Sequence, residues 1–150
     1  MGTSGNKLIS YRIIFALLVV LLSGCATHTP VTFKPLKGVS VVLGSSFDTL
    51  EFSDNEILIF KEDKLLGRIK RIHNEDESIT SIGALESGFK EAGKGSRKPE
   101  LLDIKDGLFG FVVHTDNFST IFLASEKEES FWSEISVRRA DFDTVLKSLK

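Results

Sequence analysis

Cysteine is nearly absent: the chain of 150 residues has one, Cys25, alongside one methionine, one tryptophan and one tyrosine. A single thiol excludes an intramolecular disulfide and any site built from several cysteine ligands, so stability must come from packing. Proline is scarce too, at three residues, and two of them, Pro30 and Pro35, precede residue 38. Charge of one sign is also lacking, since 19 Lys and Arg stand against 21 Asp and Glu for a net of −2. That balance excludes the basic excess with which a domain tracks a phosphate backbone, so nucleic acid is not an expected partner. Nor is there a long hydrophobic run. The longest, Ile13 to Leu22, has ten residues, about half of the roughly 20 that a helix rising about 1.5 Å per residue needs to cross the hydrocarbon.

Motifs of catalysis and cofactor binding are lacking as well. No serine sits in a Gly-x-Ser-x-Gly elbow. His28, His73 and His114 are not spaced as metal ligands. Gly88 to Lys94 follows the phosphate-loop pattern until Gly95 replaces the magnesium-binding Ser or Thr, and these residues close a helix where the motif must open one. Asp103 and Asp106 beside Gly107 lack the regular oxygen spacing of a calcium loop. His114, Asp116 and Asn117 read as hairpin-loop chemistry. Glu128 and Glu129 read as a solvated charge run. Trp132 reads as core beneath a helix, or as a stacking residue if its strand face is open. The expectation is therefore a non-enzymatic protein with no cofactor and no metal.

What is present at the start is an address. Lys7 and Arg12 give a positive opening without acidic residues, the apolar run follows, and Leu22-Ser23-Gly24-Cys25 closes it. Those three zones form an export signal, residues 1–24, removed from the mature chain. The segment resembles the signal of bacterial lipoproteins, whose lipobox ends in a small residue and an obligatory cysteine. The resemblance implies that the Cys25 thiol receives a diacylglycerol, that the chain is cut before it, and that the new amino group is acylated. It also implies a bacterial envelope location. Ala26 stands where many inner-membrane lipoproteins carry aspartate, so the expected destination is the outer membrane, facing the periplasm. Each buried CH₂ contributes roughly 0.8 kcal/mol, so two or three acyl chains hold a protein essentially permanently.

Without the signal's Lys7 and Arg12 the net charge falls from −2 to −4. About 125 mature residues suffice for one hydrophobic core and not for two. Residues 25–37 read as a lipidated, proline-bearing tether, and 38–150 as one domain. Val39 to Leu43, Phe47 to Phe52 and Glu56 to Lys61 predict strands of a meander, with turns at Ser53-Asp54-Asn55 and Glu62-Asp63. Leu65 to Ile72 follows, and its Arg68, Lys70 and Arg71 suggest a solvated edge strand. Ile79, Ile82, Leu85, Phe89 and Ala92 share a helical face over about 76–92, with Asp76 or Ser78 as cap and Gly93 as stop. Leu108 to His114 and Phe118 to Ala124 predict a hairpin, and Phe131 to Val137 alternates as a strand with one buried face. Asp141 is expected to cap a last helix over about 141–149, with Phe142, Val145, Leu146 and Leu149 on one side.

The order strands, helix, strands, helix predicts an α+β fold, an antiparallel sheet of about six or seven strands with two packed helices. At the level of element order it resembles small sheet-and-helix lipoprotein domains of the PsbP and Mog1 type. The function these features favour is a membrane-anchored binding or structural module for a protein or envelope polymer. An inhibitor or immunity protein against an exported toxin or hydrolase is the second reading, and a small-ligand carrier the third. Lys90, Lys94, Arg97 and Lys98 cluster in an otherwise acidic domain and are the expected contact for an acidic or anionic partner.

Overall fold

The computed structural model of the chain describes residues 30–43 and 47–149. The expected signal, Cys25 and the first residues of the tether lie outside them. Among the described residues the strands are β1 Val31–Phe33, β2 Val41–Leu43, β3 Thr49–Ser53, β4 Glu56–Lys61, β5 Lys64–His73, β6 Glu100–Leu101, β7 Leu108–His114, β8 Phe118–Ser125 and β9 Glu128–Arg138. Helix α1 spans Ser81–Ala92 and helix α2 spans Phe142–Ser148, the latter entered through a 3₁₀ turn at Arg139–Asp141.

The main sheet has seven strands in the order β3-β4-β5-β9-β8-β7-β6, and every neighbouring pair is antiparallel. β1 and β2 form a separate two-stranded sheet. The fold is α+β, as the element order predicts. Local chemistry makes the hairpins. Glu62 and Asp63 both take positive φ, 50° and 60°, the type I′ geometry that matches strand twist. Thr115 closes the β7–β8 loop by exchanging backbone and side-chain hydrogen bonds with Phe118 at 2.8–3.0 Å.

Strand alternation then builds three layers. On one face Ile59, Ile69, Val112, Ile121, Leu123, Ile135 and Val137 meet Val41 and Leu43 of β2 and Val145 and Leu149 at the chain's end. On the other face Phe111, Ala124 and Trp132 meet Leu85 and Phe89 of α1. β9 follows its predicted alternation, with Ser133, Ile135 and Val137 buried and Trp132, Glu134, Ser136 and Arg138 on the wetter side.

Several expectations need correction. The stretch assigned to a tether is structured from Val31: Phe33 is 9% exposed and Leu36 3%, both inside the main core. Ser133 and Ser125 hydroxyls donate long 3.4 Å hydrogen bonds to the Pro35 and Lys37 carbonyls, so residues 31–43 form a strap across the sheet. The domain thus starts before Gly38, because its apolar side chains outweigh its prolines. β2 joins β1 and not the β3–β4–β5 meander. β5 is not an edge; it lies mid-sheet between β4 and β9. Its charges are met by carboxylates from neighbouring strands, Arg68 by Glu56 and Glu134, and Arg71 by Glu128.

The start of α1 also differs from expectation. α1 begins at Ser81, and Thr80 is its cap, accepting from the Gly83 N–H at 3.2 Å. Asp76 and Ser78 instead bond each other in a local turn. Those bonds, the Ser78 hydroxyl foremost and then its backbone N–H, hold the Asp76 carboxyl below its ordinary value. Asp141 stands at the α2 cap position without a side-chain hydrogen bond, since the 3₁₀ turn before it already supplies a helical entry.

Candidate functional site

The face of the sheet that carries α1 is covered on one side only. α1 lies against β7, β8 and β9, while β3, β4 and β5 present their side chains on that face without a helix above them. In-register pairing sets out what is left open. Glu56, Lys70 and Glu134 form one row across β4, β5 and β9, and Leu58, Arg68, Ser136 and Thr120 form the next. Arg68 joins Glu56 at 3.4 Å and also pairs with Glu134, and the Thr120 and Ser136 hydroxyls share a 3.1 Å hydrogen bond. Leu58, Leu65, Arg68, Phe118 and Ser136 line a shallow hollow of about 190 Å³ there. This shelf combines paired charges, hydroxyls and small apolar areas, the usual makeup of a polar interface.

Beside α1, over β7, β8 and β9, lies a second opening, an apolar cleft of about 240 Å³. Its floor is aromatic. Phe111 and Phe122 stack with centroids 4.8 Å apart and planes 18° apart, and Trp132 lies 6.2 Å beyond Phe122. Its roof is the flank of α1, where Ala84, Gly88 and Ala92 recur every fourth residue and so share one side of the helix. A Cβ built at Gly88 meets no atom within 4 Å. Trp132 is half-buried and lines this cleft, so its strand face is partly open.

A third cluster braces the fold. Glu128, expected in a solvated run, is buried. It accepts the Lys37 backbone N–H at 2.8 Å, pairs with Arg71, and its carbonyl accepts the Ser81 hydroxyl at 3.1 Å. The Arg71 guanidinium lies 3.8 Å over the Phe131 ring, and His73 meets that ring edge-on at 4.8 Å. Arg71 Nε is buried without a hydrogen-bond partner among the described residues, shaded by the same ring.

The four cations singled out in the sequence cluster at the end of α1 and in the loop after it. Lys94 pairs with Glu91 at 2.6 Å, and the Lys98 ammonium donates to the Gly93 carbonyl at 2.9 Å, closing the helix terminus. Lys90 and Arg97 are exposed, with no ion pair among the described residues. His114 turns to Ser119, 2.8 Å away, and packs edge-on against Phe142. Among the described residues no three His, Cys, Asp or Glu side chains converge as a metal site, and no helix is long and apolar enough to cross a membrane. Comparisons with family models, curated proteins and solved structures find no match.

Proposed function

We propose that the protein is a bacterial envelope lipoprotein, held by acyl chains on Cys25 at the outer membrane and facing the periplasm. Its domain acts as a non-enzymatic binding module for a protein or polymer of the envelope. The observation that carries the binding reading is the half-covered sheet: a single helix shields β7 to β9 and leaves a polar shelf over β4, β5 and β9. A sheet face that served only stability would be covered or uniformly solvated, whereas this one carries hydroxyls, matched charges and the apolar Leu58 and Phe118 together. Anchoring supports the same reading. Val31 opens β1 six positions after Cys25, so the domain sits on a short leash and searches a surface in place of a volume.

The test uses the full chain in its own cells. A photo-crosslinking residue at Thr120 or Ser136 on the shelf is expected to capture a discrete partner from intact envelopes, and the same group at exposed Lys34 on the strap is not. Equal capture from both positions removes the shelf as the docking face. Cys25→Ser is expected to abolish both processing and fatty-acid labelling. A processed, membrane-attached Cys25→Ser product overturns the anchor.

A further inference from the structure

The two edges of the main sheet are unlike. β6 at one end has two residues, a short edge of the kind that resists further pairing. β3 at the other end has five, and it pairs with β4 on one side and with no strand among the described residues on the other. An unpaired strand edge is a row of backbone donors and acceptors, which proteins blunt with lysine, proline, a bulge or short length. β3 has none of these devices. Its register with β4 runs unbroken from Thr49↔Phe60 to Ser53↔Glu56, and Thr49-Leu50-Glu51-Phe52-Ser53 contains neither proline nor lysine. All of these residues are exposed except Leu50, which is half-buried against the main core.

What pairs there is set by charge and alternation. From Gly38 to Phe60 the chain carries four acids, Asp48, Glu51, Asp54 and Glu56, and no lysine, arginine or histidine. Glu56 is matched by Arg68, and Asp48 accepts the Glu62 backbone N–H at 2.8 Å. Glu51 and Asp54 are exposed and have no ion pair among the described residues. Register divides the strand between two faces. Glu51 stands opposite Leu58, in the row that continues to Arg68 on the shelf. Phe52 stands opposite Ile57 on the face of the main core, where its ring is 69% exposed. A strand laid about 4.8 Å beyond β3 meets an acid on one face and an uncovered aromatic ring on the other. Its own side chains therefore complement β3 when they alternate between cationic and apolar. A second copy of the chain lacks that complementarity, because antiparallel pairing of β3 with itself about its central residue sets Glu51 against Glu51.

We propose that β3 binds an extended segment of another protein in which lysine or arginine alternates with large apolar residues, adding it to the main sheet as an antiparallel or parallel outer strand. Strand addition goes beyond docking on the shelf: it requires nothing of Thr120 or Ser136, and either can fail alone. The probe is a capped, fluorescently labelled peptide of repeating Lys-Val, titrated against the full chain in phosphatidylcholine vesicles and followed by anisotropy. Saturable binding is expected, weakened by roughly tenfold or more in Glu51→Lys and severalfold in Phe52→Ala. Both side chains are exposed, so both variants are expected to unfold at the wild-type midpoint. Asp54→Lys repeats the charge test from the adjoining turn if Glu51→Lys does not fold. A block peptide of the same composition, lysines first and valines after, keeps the charge and loses the alternation, and is expected to bind at least about tenfold more weakly. Equal binding of repeat and block peptides reduces the contact to charge and overturns strand addition. No saturable binding of the repeat, or unchanged affinity in the folded variants, overturns the site. A dimer of the full chain that Phe52→Ala dissolves assigns the edge to a second copy and overturns the basic partner. Crosslinking from Thr120 reads the shelf independently of every one of these results.

Discussion

Glu128 accepts a hydrogen bond from the backbone N–H of Lys37, 91 positions earlier in the chain, at 2.8 Å. The same carboxylate pairs with Arg71 of β5, and the Glu128 carbonyl takes the hydroxyl of Ser81 at the first turn of α1. One residue at the head of β9 thus ties the strap on one face of the sheet to the helix on the other. Removing the carboxylate leaves the Lys37 N–H and a half-exposed guanidinium without their acceptor. Glu128→Ala is expected to cost about 2–3 kcal/mol in denaturant unfolding, less than the roughly 3–5 kcal/mol of a fully buried broken pair because Arg71 reaches solvent. Glu128→Gln retains an acceptor and is expected to cost less than half as much.

The strap is core and not linker. Leu36 is 3% exposed among Val39, Val41 and the sheet's inner face. Leu36→Ala is expected to lower stability by about 2–4 kcal/mol, while exposed Lys34→Ala changes it by less than about 0.5 kcal/mol. Equal, small effects at both positions in chemical denaturation would restore the tether.

Two glycines carry opposite predictions. A Cβ on Gly67 in β5 falls 2.6 Å from the backbone oxygen of Ser136, which cannot retreat without opening the β5–β9 ladder. Gly67→Ala is expected to destabilise by about 1–3 kcal/mol. At Gly88 the added methyl group meets nothing within 4 Å, and Gly88→Ala is expected to stabilise by up to about 1 kcal/mol through helix propensity alone. Thermal or denaturant unfolding of the two variants side by side checks both signs.

Asp76 supplies a titration. Its carboxylate is favoured by the Ser78 hydroxyl and backbone N–H, so its folded value lies below the ordinary 3.8. A depressed folded value means that its hydrogen bonds contribute fully above the unfolded value and are lost as pH falls through the folded one. An NMR titration of the Asp76 carboxyl carbon is expected to give a midpoint below 3.8, moved upward by Ser78→Ala. A midpoint at or above the ordinary value would show the turn to be absent in solution.

The parts of the fold legible in the sequence are those governed by neighbours in the chain. Alternation in Leu108–His114 and Phe118–Ser125, with turn residues between them, gives the β7–β8 hairpin. Glu62-Asp63 gives a tight turn, with Asp63 a residue type that tolerates the left-handed conformation the turn needs. The misread parts are decided at long range. Arg68 looks like edge chemistry until Glu134, 66 positions on, pairs with it across the β5–β9 ladder. Phe33 and Leu36 look like punctuation between prolines until the inner face of the sheet buries them. Asp76 and Ser78 are better caps by type than Thr80, yet they bond each other in a turn and leave Thr80 to start the helix. The cleft had one visible trace, a glycine inside a helical pattern. Its aromatic floor comes from three separate strands and has no local signature.

The β5–β9 ladder also dictates an order of events. Strand β5 lies mid-sheet, yet one of its two neighbours is the last strand of the chain. For a polypeptide emerging amino end first, the halves β3–β5 and β6–β8 appear early as hairpin arrays, while the seam between them waits for the final residues. Until then the buried face that shelters Ile69 and Leu36 has no floor. Premature collapse would therefore trap apolar surface against the wrong edge, and the delay before β9, Glu128–Arg138, emerges would govern the yield of native molecules.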